Sequence, residues 1–365
     1  MRILLVCERL GQRDDEGIRN LARALFDTLN ARHEVLVLTQ GRSAPARDRG
    51  ARDPAPSASD PNVVVIEMNA LTRRTFLSTG VYRAARAFHP DVTLYIPWTS
   101  GTLPTFVRTQ GLRWVTRSPV AIYLTQPYDN PGWQRFLIRY MLPNLVVALS
   151  DNVVRHLAQL GAEAEFIPAG VDLDRFVVPS DEQRAHERER IGVKPGEKLI
   201  LHVGHLNRNR MNEGEIQMLA QTTGYRVLIV GSTSTPQDAG LIRNLTGVGC
   251  TVISDYHPSI ERLYQAADVY LFPTRAQRSS IGVPLSVLEA LACGVPVVST
   301  RFEGLPRLFP ASAYVQFFSS AAQLARAVQA APLSPDCAAR QLVAQLDWRN
   351  TCSAIERHLV ALARP

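Results

Sequence analysis

Long hydrophobic runs are absent from this 365-residue sequence, and cysteine is scarce. No apolar stretch approaches the roughly eighteen residues that a membrane-spanning helix requires. The amino-terminal "MRILLVCE" has five apolar residues before Glu8, which is too short for the core of a signal peptide. The five cysteines are odd in number, scattered and without a C-x-x-C pair. They argue against a disulfide framework and a zinc site, and predict reduced thiols in a cytoplasmic protein.

A basic nucleic-acid-binding module is also lacking. The net charge is +7, but residues 1–172 carry 20 Lys+Arg against 16 Asp+Glu, and residues 173–365 carry 20 against 17. The excess is therefore spread as +4 and +3, with no long basic run and no aromatic-basic stacking motif, so nucleic acid is not an expected partner. With 46% hydrophobic and 20% charged residues, the composition is that of a globular protein.

The pattern that is present is an alternation of short apolar strands and amphipathic helices, repeated in both halves. The strand-like runs are "RILLVC", "HEVLVLT", "NVVVIEM", "VTLYIP", "VAIYLT" and "NLVVALS", then "KLILHVG", "YRVLIVG", "CTVISD", "DVYLFPT" and "VPVVST". Near-continuous apolar strands with helices between them indicate parallel sheets covered on both faces. The fold class is therefore α/β, with two doubly wound domains in series.

The domain boundaries follow from shifts in composition. We predict an N-terminal domain over 1–175, a polar linker over 176–195 and a second domain over 196–345, with a helix near 345–363 that packs back on the first domain. The Pro-, Ala-, Ser- and Arg-rich stretch 41–61 is predicted to be a mobile loop.

One carboxylate interrupts the apolar segment "IGVPLSVLEALACGVPVVST" at 281–300. An unpaired buried charge is costly, so Glu289 needs partners. Pro284 suits the start of a helix and Gly294 its left-handed end. Ligands of doubly wound sheets bind where helices begin, so Glu289 is predicted to accept hydrogen bonds from ligand hydroxyls such as those of a ribose. The alternative is that it caps a neighbouring backbone or pairs with an arginine.

A second candidate site follows the first strand of the second half. The segment "LHVGHLNRNRMN" at 201–212 places Gly204 and then Arg208 and Arg210 where a diphosphate would be clamped. A solvated basic loop is the alternative.

Taken in order, several motifs closely resemble family-four glycosyltransferases of the GT-B fold, over nearly the whole chain. They are Gly170-Val171-Asp172 with Phe176, Val203-Gly204, Ala267-Asp268 with Pro273, Leu288-Glu289-Ala290 with Gly294 to Val298, and a closing helix with Trp348.

The resemblance implies two Rossmann-like domains facing each other across a cleft, and transfer of a sugar from a nucleotide-diphosphate sugar to a hydroxyl acceptor with retention of configuration. It implies no bound metal and no cofactor, because basic side chains and helix-start N–H groups neutralise the diphosphate. Glu289 corresponds to the ribose-binding glutamate. The other implied donor-binding positions are Gly17, Gly204, His205, Gly282, Leu285 and Ser286.

The sequence departs from the family pattern at four positions. Ile281 stands where a glutamate usually touches the sugar, and His205 replaces an arginine, with Arg210 at the expected lysine. Pro284 lacks an N–H that commonly contacts the donor, and a histidine after the fifth strand is replaced near Gln126. These changes leave open a nucleotide-sugar-binding relative without transfer activity; a GT-B epimerase is a further alternative.

Acceptor-side candidates come from two N-terminal loops. Asp14, Asp15 and Glu16 precede Gly17 and are expected either at the acceptor or as acidic residues at a helix start, while Gln126 and Asp129 follow the fifth strand. The acceptor class is expected to be a glycan, a lipid-linked sugar or a small molecule.

Two helical segments combine basic and large apolar residues, "LTRRTFLSTGVYRAARAFH" at 71–89 and "PGWQRFLIRYMLP" at 131–143. One interpretation is peripheral contact with the inner face of an anionic membrane. The other is that the helices face the sheet and turn their arginines to water.

Overall fold

A computed structural model describes residues 1–7, 10, 16–41, 61–67, 79–97, 100–208, 210–276, 279–332 and 334–364. The chain divides into two compact units, Met1–Pro168 with Arg349–Pro365, and Ala169–Trp348. Nearly all of the predicted loop 41–61 lies outside the described residues. The candidates Asp14 and Asp15 also lie outside them.

The first unit (unit 1) is built on a seven-stranded parallel sheet in the order β3-β2-β1-β4-β5-β6-β7. Its strands are β1 Arg2–Cys7, β2 Glu34–Gly41, β3 Val63–Glu67, β4 Val92–Ile96, β5 Val120–Leu124, β6 Leu145–Ala148 and β7 Glu165–Phe166. All residues of β4 and β5 are buried, as expected for central strands with helices on both faces.

Helices alternate with these strands. They are α1 Gly17–Asn30, α2 Thr79–Phe88, α3 Leu103–Thr116, α4 Gly132–Ile138 and α5 Asp151–Gln159. Helix α1 buries one apolar face, which includes Ile18, Leu21, Leu25 and Leu29. A core that includes Leu4, Tyr95, Phe106 and Ile122 holds the helices against the sheet.

The second unit (unit 2) repeats the design with a six-stranded parallel sheet in the order β10-β9-β8-β11-β12-β13. Its strands are β8 Lys198–Gly204, β9 Tyr225–Gly231, β10 Thr251–Ile253, β11 Val269–Phe272, β12 Val297–Ser299 and β13 Val315–Phe317. Its helices are α6 Asp181–Arg190, α7 Glu213–Ala220, α8 Ala239–Gly247, α9 Ile260–Ala266, α10 Leu285–Ala292, α11 Leu305–Leu308, α12 Ala321–Ala330 and α13 Cys337–Gln341. The last helix, α14 Trp348–Ala363, starts at the end of unit 2, and its residues from Arg349 onward group with unit 1.

The structure differs from the predicted linker at 176–195. That segment belongs to unit 2 and contains α6, which begins with a capping box in which Ser180 and Gln183 bond reciprocally. Arg184 and Arg188 of α6 bind the buried carboxylate of Asp268. The segment looked like a linker because only Glu187 among its helical residues is buried, so no apolar face marks the helix.

Candidate functional site

Helix α10 of unit 2 carries the carboxylate that the sequence singled out. It begins at Leu285 after Pro284, with no side-chain cap, and six of its eight residues are buried. Gly294 ends the segment with φ of 78°, as predicted for a left-handed cap. A Cβ at Gly294 would also lie 2.9 Å from the backbone nitrogen of Asp336, so a side chain has no room there.

Glu289 is half-buried and has a defined protein partner. The hydroxyl of Tyr264, at the end of α9, donates to Oε2 of Glu289 over 2.8 Å. Burial raises the pKa of Tyr264 well above its usual value, and the charge of Glu289 adds to the effect. The tyrosine therefore stays a donor, and it holds one edge of the carboxylate in a fixed orientation.

A second tyrosine connects the start of α10 to the end of β8. The hydroxyl of Tyr270 donates to the carbonyl oxygen of Val203 over 3.1 Å and is hydrogen-bonded to the side chain of Ser286. The rings of Tyr264 and Tyr270 are 5.6 Å apart. The two tyrosines thus bring Glu289, Ser286 and the last two residues of β8, Val203 and Gly204, into one polar cluster.

The segment that begins with the Gly170-Val171-Asp172 motif packs against this cluster through Phe176. A Cβ at Gly170 would lie 2.7 Å from Cα of Trp348, so only glycine allows the two segments to meet. The backbone N–H of Val171 donates to the carbonyl of Leu346, and Trp348 N–H donates back to Val171. Phe176 then packs edge-on against Tyr264, with ring centroids 5.9 Å apart.

The Ala267-Asp268 motif is structural. Asp268 is 4% exposed, binds Arg184 and Arg188, and accepts from the backbone N–H of Leu199 over 2.6 Å. Burial lowers the pKa of Arg184, while the neighbouring Asp268 opposes that shift. This ion cluster fixes α6 and the start of β8 beside the α9–β11 turn.

The loop after β8 places the predicted phosphate-binding residues in unequal surroundings. Arg208 pairs with Asp238 over 3.2 Å and lies 3.4 Å from Glu213, so its charge is already opposed by two carboxylates. His205 Nδ1 lies 2.6 Å from the hydroxyl of Thr235. Arg210 is half-buried, and its carbonyl accepts from Thr274. The described residues of the loop thus have protein partners, while the side chain of Arg208 is 54% exposed.

Gly204 and His202 form a tight pair on β8. A Cβ at Gly204 would lie 3.1 Å from Nε2 of His202, which leaves little room for a side chain. His202 is 2% exposed, and its Nδ1 donates to the carbonyl of Leu271 over 2.9 Å. Its Nε2 has no hydrogen-bond partner in the part of the chain that the structure describes. Burial lowers the pKa of His202 to about 4, so the ring is neutral near pH 7.

The segment before α10 is apolar and enclosed. Ile281 is only 5% exposed, and the carbonyl of the buried Gly282 accepts from the N–H of Gly304. The residue at the position of the family's sugar-binding glutamate therefore acts as a packing side chain.

In unit 1, Gly17 opens α1 as predicted, and the adjacent glutamate is a helix cap. Glu16 is 9% exposed, and its carboxylate accepts from the backbone N–H of Arg19 over 3.0 Å. Of the two roles that the sequence left open for this residue, the helix-start role is the one with a contact in the structure.

The loops after β4 and β5 are joined to each other. The hydroxyl of Ser100 donates to the carbonyl of Gln126, and the side chain of Asn130 donates to the carbonyl of Gly101 over 2.9 Å. Asp129 has a 99% exposed side chain, 3.9 Å from Nδ1 of His156. Burial lowers the pKa of His156 against the opposing charge of Asp129. Gln126 is therefore held through its backbone, and Asp129 is open to solvent.

The described residues form neither a metal-binding cluster nor a membrane-spanning helix. No group of three or more His, Cys, Asp or Glu side chains among the described residues is arranged to hold a metal ion. None of the described helices combines the length and the hydropathy needed to cross a bilayer.

Comparison with known proteins identifies the class. Two parallel-sheet Rossmann-like units define the GT-B fold, and solved GT-B proteins share it. The Anabaena protein HepE, solved in complex with UDP-glucose, is 18% identical with a TM-score of 0.75, over 99% of this chain and 100% of that one. Sucrose-phosphate synthase from Thermosynechococcus elongatus is likewise 18% identical, with a TM-score of 0.75 and 99% coverage of both chains. The predicted fold class is confirmed.

Residues 197–331, which make up most of unit 2, match the family model described as "Glycosyl transferases group 1". The D-inositol 3-phosphate glycosyltransferase of Segniliparus rotundus is 26% identical over 325 residues, which are 80% of this chain and 71% of that protein. The lipopolysaccharide core mannosyltransferase LpsB of Rhizobium meliloti is 30% identical over 187 residues, 47% of this chain and 48% of the relative. The resemblance drawn from the motifs is confirmed, and these similarities support a glycosyltransferase enzyme.

Several functional candidates were not found by sequence reasoning. Tyr264 precedes the "AADVYLFPT" stretch and Tyr270 lies within it, yet nothing in the spacing indicates that their hydroxyls reach Glu289 and Ser286. His202, Thr235 and His156 also belong to the described polar clusters. An isolated tyrosine or histidine in an apolar strand or helix is predicted to be a core side chain. Only the contacts of these residues in the folded chain show that they belong to polar clusters.

Proposed function

We propose that this protein is a retaining, metal-independent glycosyltransferase that moves a sugar from a nucleotide-diphosphate sugar to a hydroxyl acceptor, without a cofactor. The observation that carries the proposal is the half-buried Glu289, oriented by Tyr264 beside the start of α10. A carboxylate fixed on one edge is suited to accept the two hydroxyl hydrogens of a ribose.

The diphosphate would be held next to this carboxylate. The N–H groups of Leu285 and Ser286 open α10, where the helix dipole favours negative charge. Among the arginines of the β8 loop, Arg210 is proposed as the phosphate ligand, because it stands where the family resemblance implies a lysine. The charge of Arg208 is already balanced in part by Asp238 and Glu213. In the reaction, the bond between the anomeric carbon and the diphosphate oxygen breaks, and the diphosphate leaves with the electron pair. The acceptor oxygen forms the new bond and releases its proton.

The relatives support this choice of donor and acceptor chemistry. HepE has been solved with UDP-glucose, and the similar curated proteins are named for transfer to inositol phosphate or to a lipopolysaccharide core. A uridine or guanosine diphosphate sugar and a polar hydroxyl acceptor are therefore the first candidates. Cys7, Cys250, Cys293 and Cys352 are buried as thiols and form no disulfide among the described residues, which supports a reducing, cytoplasmic setting.

One feature favours a second candidate, a nucleotide-sugar-binding protein without transfer. Ile281 is packed in the interior where the family's sugar-binding carboxylate is expected. Incubation with UDP-, GDP-, ADP- and dTDP-sugars and a mixed acceptor pool separates the alternatives. Release of free nucleotide together with a glycosylated product supports transfer, an altered sugar supports an epimerase, and a thermal shift without product supports the binding protein.

A further inference from the structure

Helices α3 and α4 of unit 1 expose large apolar side chains to solvent. Trp114 is 82% exposed, Tyr140 70%, Trp133 62% and Phe136 57%. In α4 only Ile138 is buried, so this short helix presents its aromatic residues outward. The two helices are in contact with each other. Exposed large apolar groups on adjoining helices mark interaction sites, because burying them elsewhere releases free energy.

These side chains stand on a firmly packed layer. Helix α2 packs against α3 through Tyr82, whose ring would contact any Cβ placed at Gly111. The side-chain amide of Gln110 on α3 donates to the carbonyl of Leu142, just beyond α4. Phe136 and Tyr140 stack edge to face with centroids 5.5 Å apart. The aromatic groups are therefore held in place by helices anchored in the core of unit 1.

The charge around the aromatic groups is almost entirely positive. Between Asp91 and Asp151, Asp129 is the only acidic residue, while five arginines occur at 108, 113, 117, 135 and 139. All of these except Arg108 are exposed. A cavity of about 460 Å³ beside Trp114 is lined by Arg86, Arg113 and Arg117, a setting that suits a phosphate group.

We propose that this surface, formed by Trp114, Trp133, Phe136 and Tyr140 with the exposed arginines 86, 113, 117, 135 and 139, binds an anionic lipid bilayer. Trp and Tyr partition into the interfacial region of a membrane, and arginines add attraction to acidic headgroups. A second copy of this chain is a poorer occupant, because two facing copies would bring like charges together. The proposal does not depend on transfer activity.

The experiment is co-sedimentation of the full chain with vesicles of phosphatidylcholine alone or mixed equally with phosphatidylglycerol. Binding is expected to the mixed vesicles, with little to the neutral ones and less at high salt. The double variant Arg113→Gln/Arg139→Gln should lower the partition coefficient about thirtyfold, since each interfacial arginine contributes attraction of its own. Arg326→Gln/Arg357→Gln removes the same charge from exposed positions on α12 and α14 and should leave binding nearly unchanged.

The aromatic contribution is tested separately. Trp133→Ser/Phe136→Ser should reduce binding to mixed vesicles at least tenfold and should remove part of the vesicle-induced blue shift in tryptophan fluorescence. Circular dichroism and the melting temperature show whether the exposed substitutions leave the fold intact. Absence of vesicle binding, or equal losses in the patch and control variants, would overturn the proposal. Concentration-dependent self-association that the aromatic variant abolishes would also overturn it, in favour of a second copy.

Discussion

The Tyr264 hydroxyl donates a hydrogen bond to Oε2 of Glu289, and this contact joins α9 to α10. It explains how one carboxylate is tolerated in an otherwise apolar helix: a buried donor satisfies one oxygen edge. The same contact sets the direction in which the carboxylate accepts further hydrogen bonds.

Glu289→Gln should weaken binding of the matching nucleoside diphosphate by about 1–3 kcal/mol, because a neutral amide is a poorer acceptor for ribose hydroxyls and leaves one of them unpaired. Isothermal titration calorimetry measures the effect. Glu182→Gln, which changes an exposed glutamate in the first turn of α6, is the matched control. Equal affinity in Glu289→Gln and wild type would move the nucleotide site elsewhere.

Arg210→Ala should reduce diphosphate affinity and flatten its dependence on salt, because it removes a positive charge near the phosphates. Arg208→Ala should have a much smaller effect, since Asp238 and Glu213 already balance that side chain. Titrations at several salt concentrations compare the two variants. A larger loss in Arg208→Ala would reverse the assignment of the phosphate-binding arginine.

Asp268→Asn should lower the free energy of unfolding by about 3–5 kcal/mol, because Arg184 and Arg188 would keep buried charge without their carboxylate. Urea denaturation measures this change. Asp27→Asn is the control: its pair with Arg23 is exposed and should contribute less than about 1 kcal/mol. Similar losses in both variants would show that the Asp268 cluster is not a special structural centre.

Gly170→Ala should destabilise the protein by about 1–3 kcal/mol, since the new methyl group would overlap the backbone of Trp348. Gly247→Ala, at the end of α8, meets no atom within 4 Å and should be neutral or slightly stabilising. Thermal unfolding of the two variants provides the comparison. A neutral result at Gly170 would show that the contact with Trp348 relaxes without cost.

Stability should fall as the pH drops from about 6.5 to 4, in part because of His202. In the folded protein the pKa of His202 is lowered to about 4, so as the pH falls the unfolded chain takes up the proton first. The stability that comes from keeping this ring neutral is therefore fully present above the pKa of the unfolded chain and is lost as the pH falls towards 4. Full loss corresponds to about 3 kcal/mol. His202→Gln should show a shallower decline of the free energy of unfolding across this window. Parallel pH profiles for variant and wild type would contradict the assignment.

The sequence by itself determined the two parallel α/β units and the position of α10, and it singled out Glu289 as the one carboxylate of an apolar segment. Continuous apolar strands, a glycine at the left-handed cap and a lone carboxylate are local signals, and they can be read without knowing what packs where. Tertiary packing decided which groups meet. Tyr264 is 25 residues from Glu289 in the chain. Gly170 and Trp348, which are in contact, stand near the two ends of the unit 2 sequence.

The local sequence pattern gave a wrong prediction where polar residues make contacts with residues far away in the chain. The stretch 176–195 looked like a linker because α6 is polar, although its arginines reach the buried Asp268 about eighty residues away. Nothing in the local sequence indicates that Asp238 and Glu213 lie beside Arg208. Periodicity reports which face a segment buries, but the partner of a charge depends on the folded chain, because side chains distant in sequence supply it.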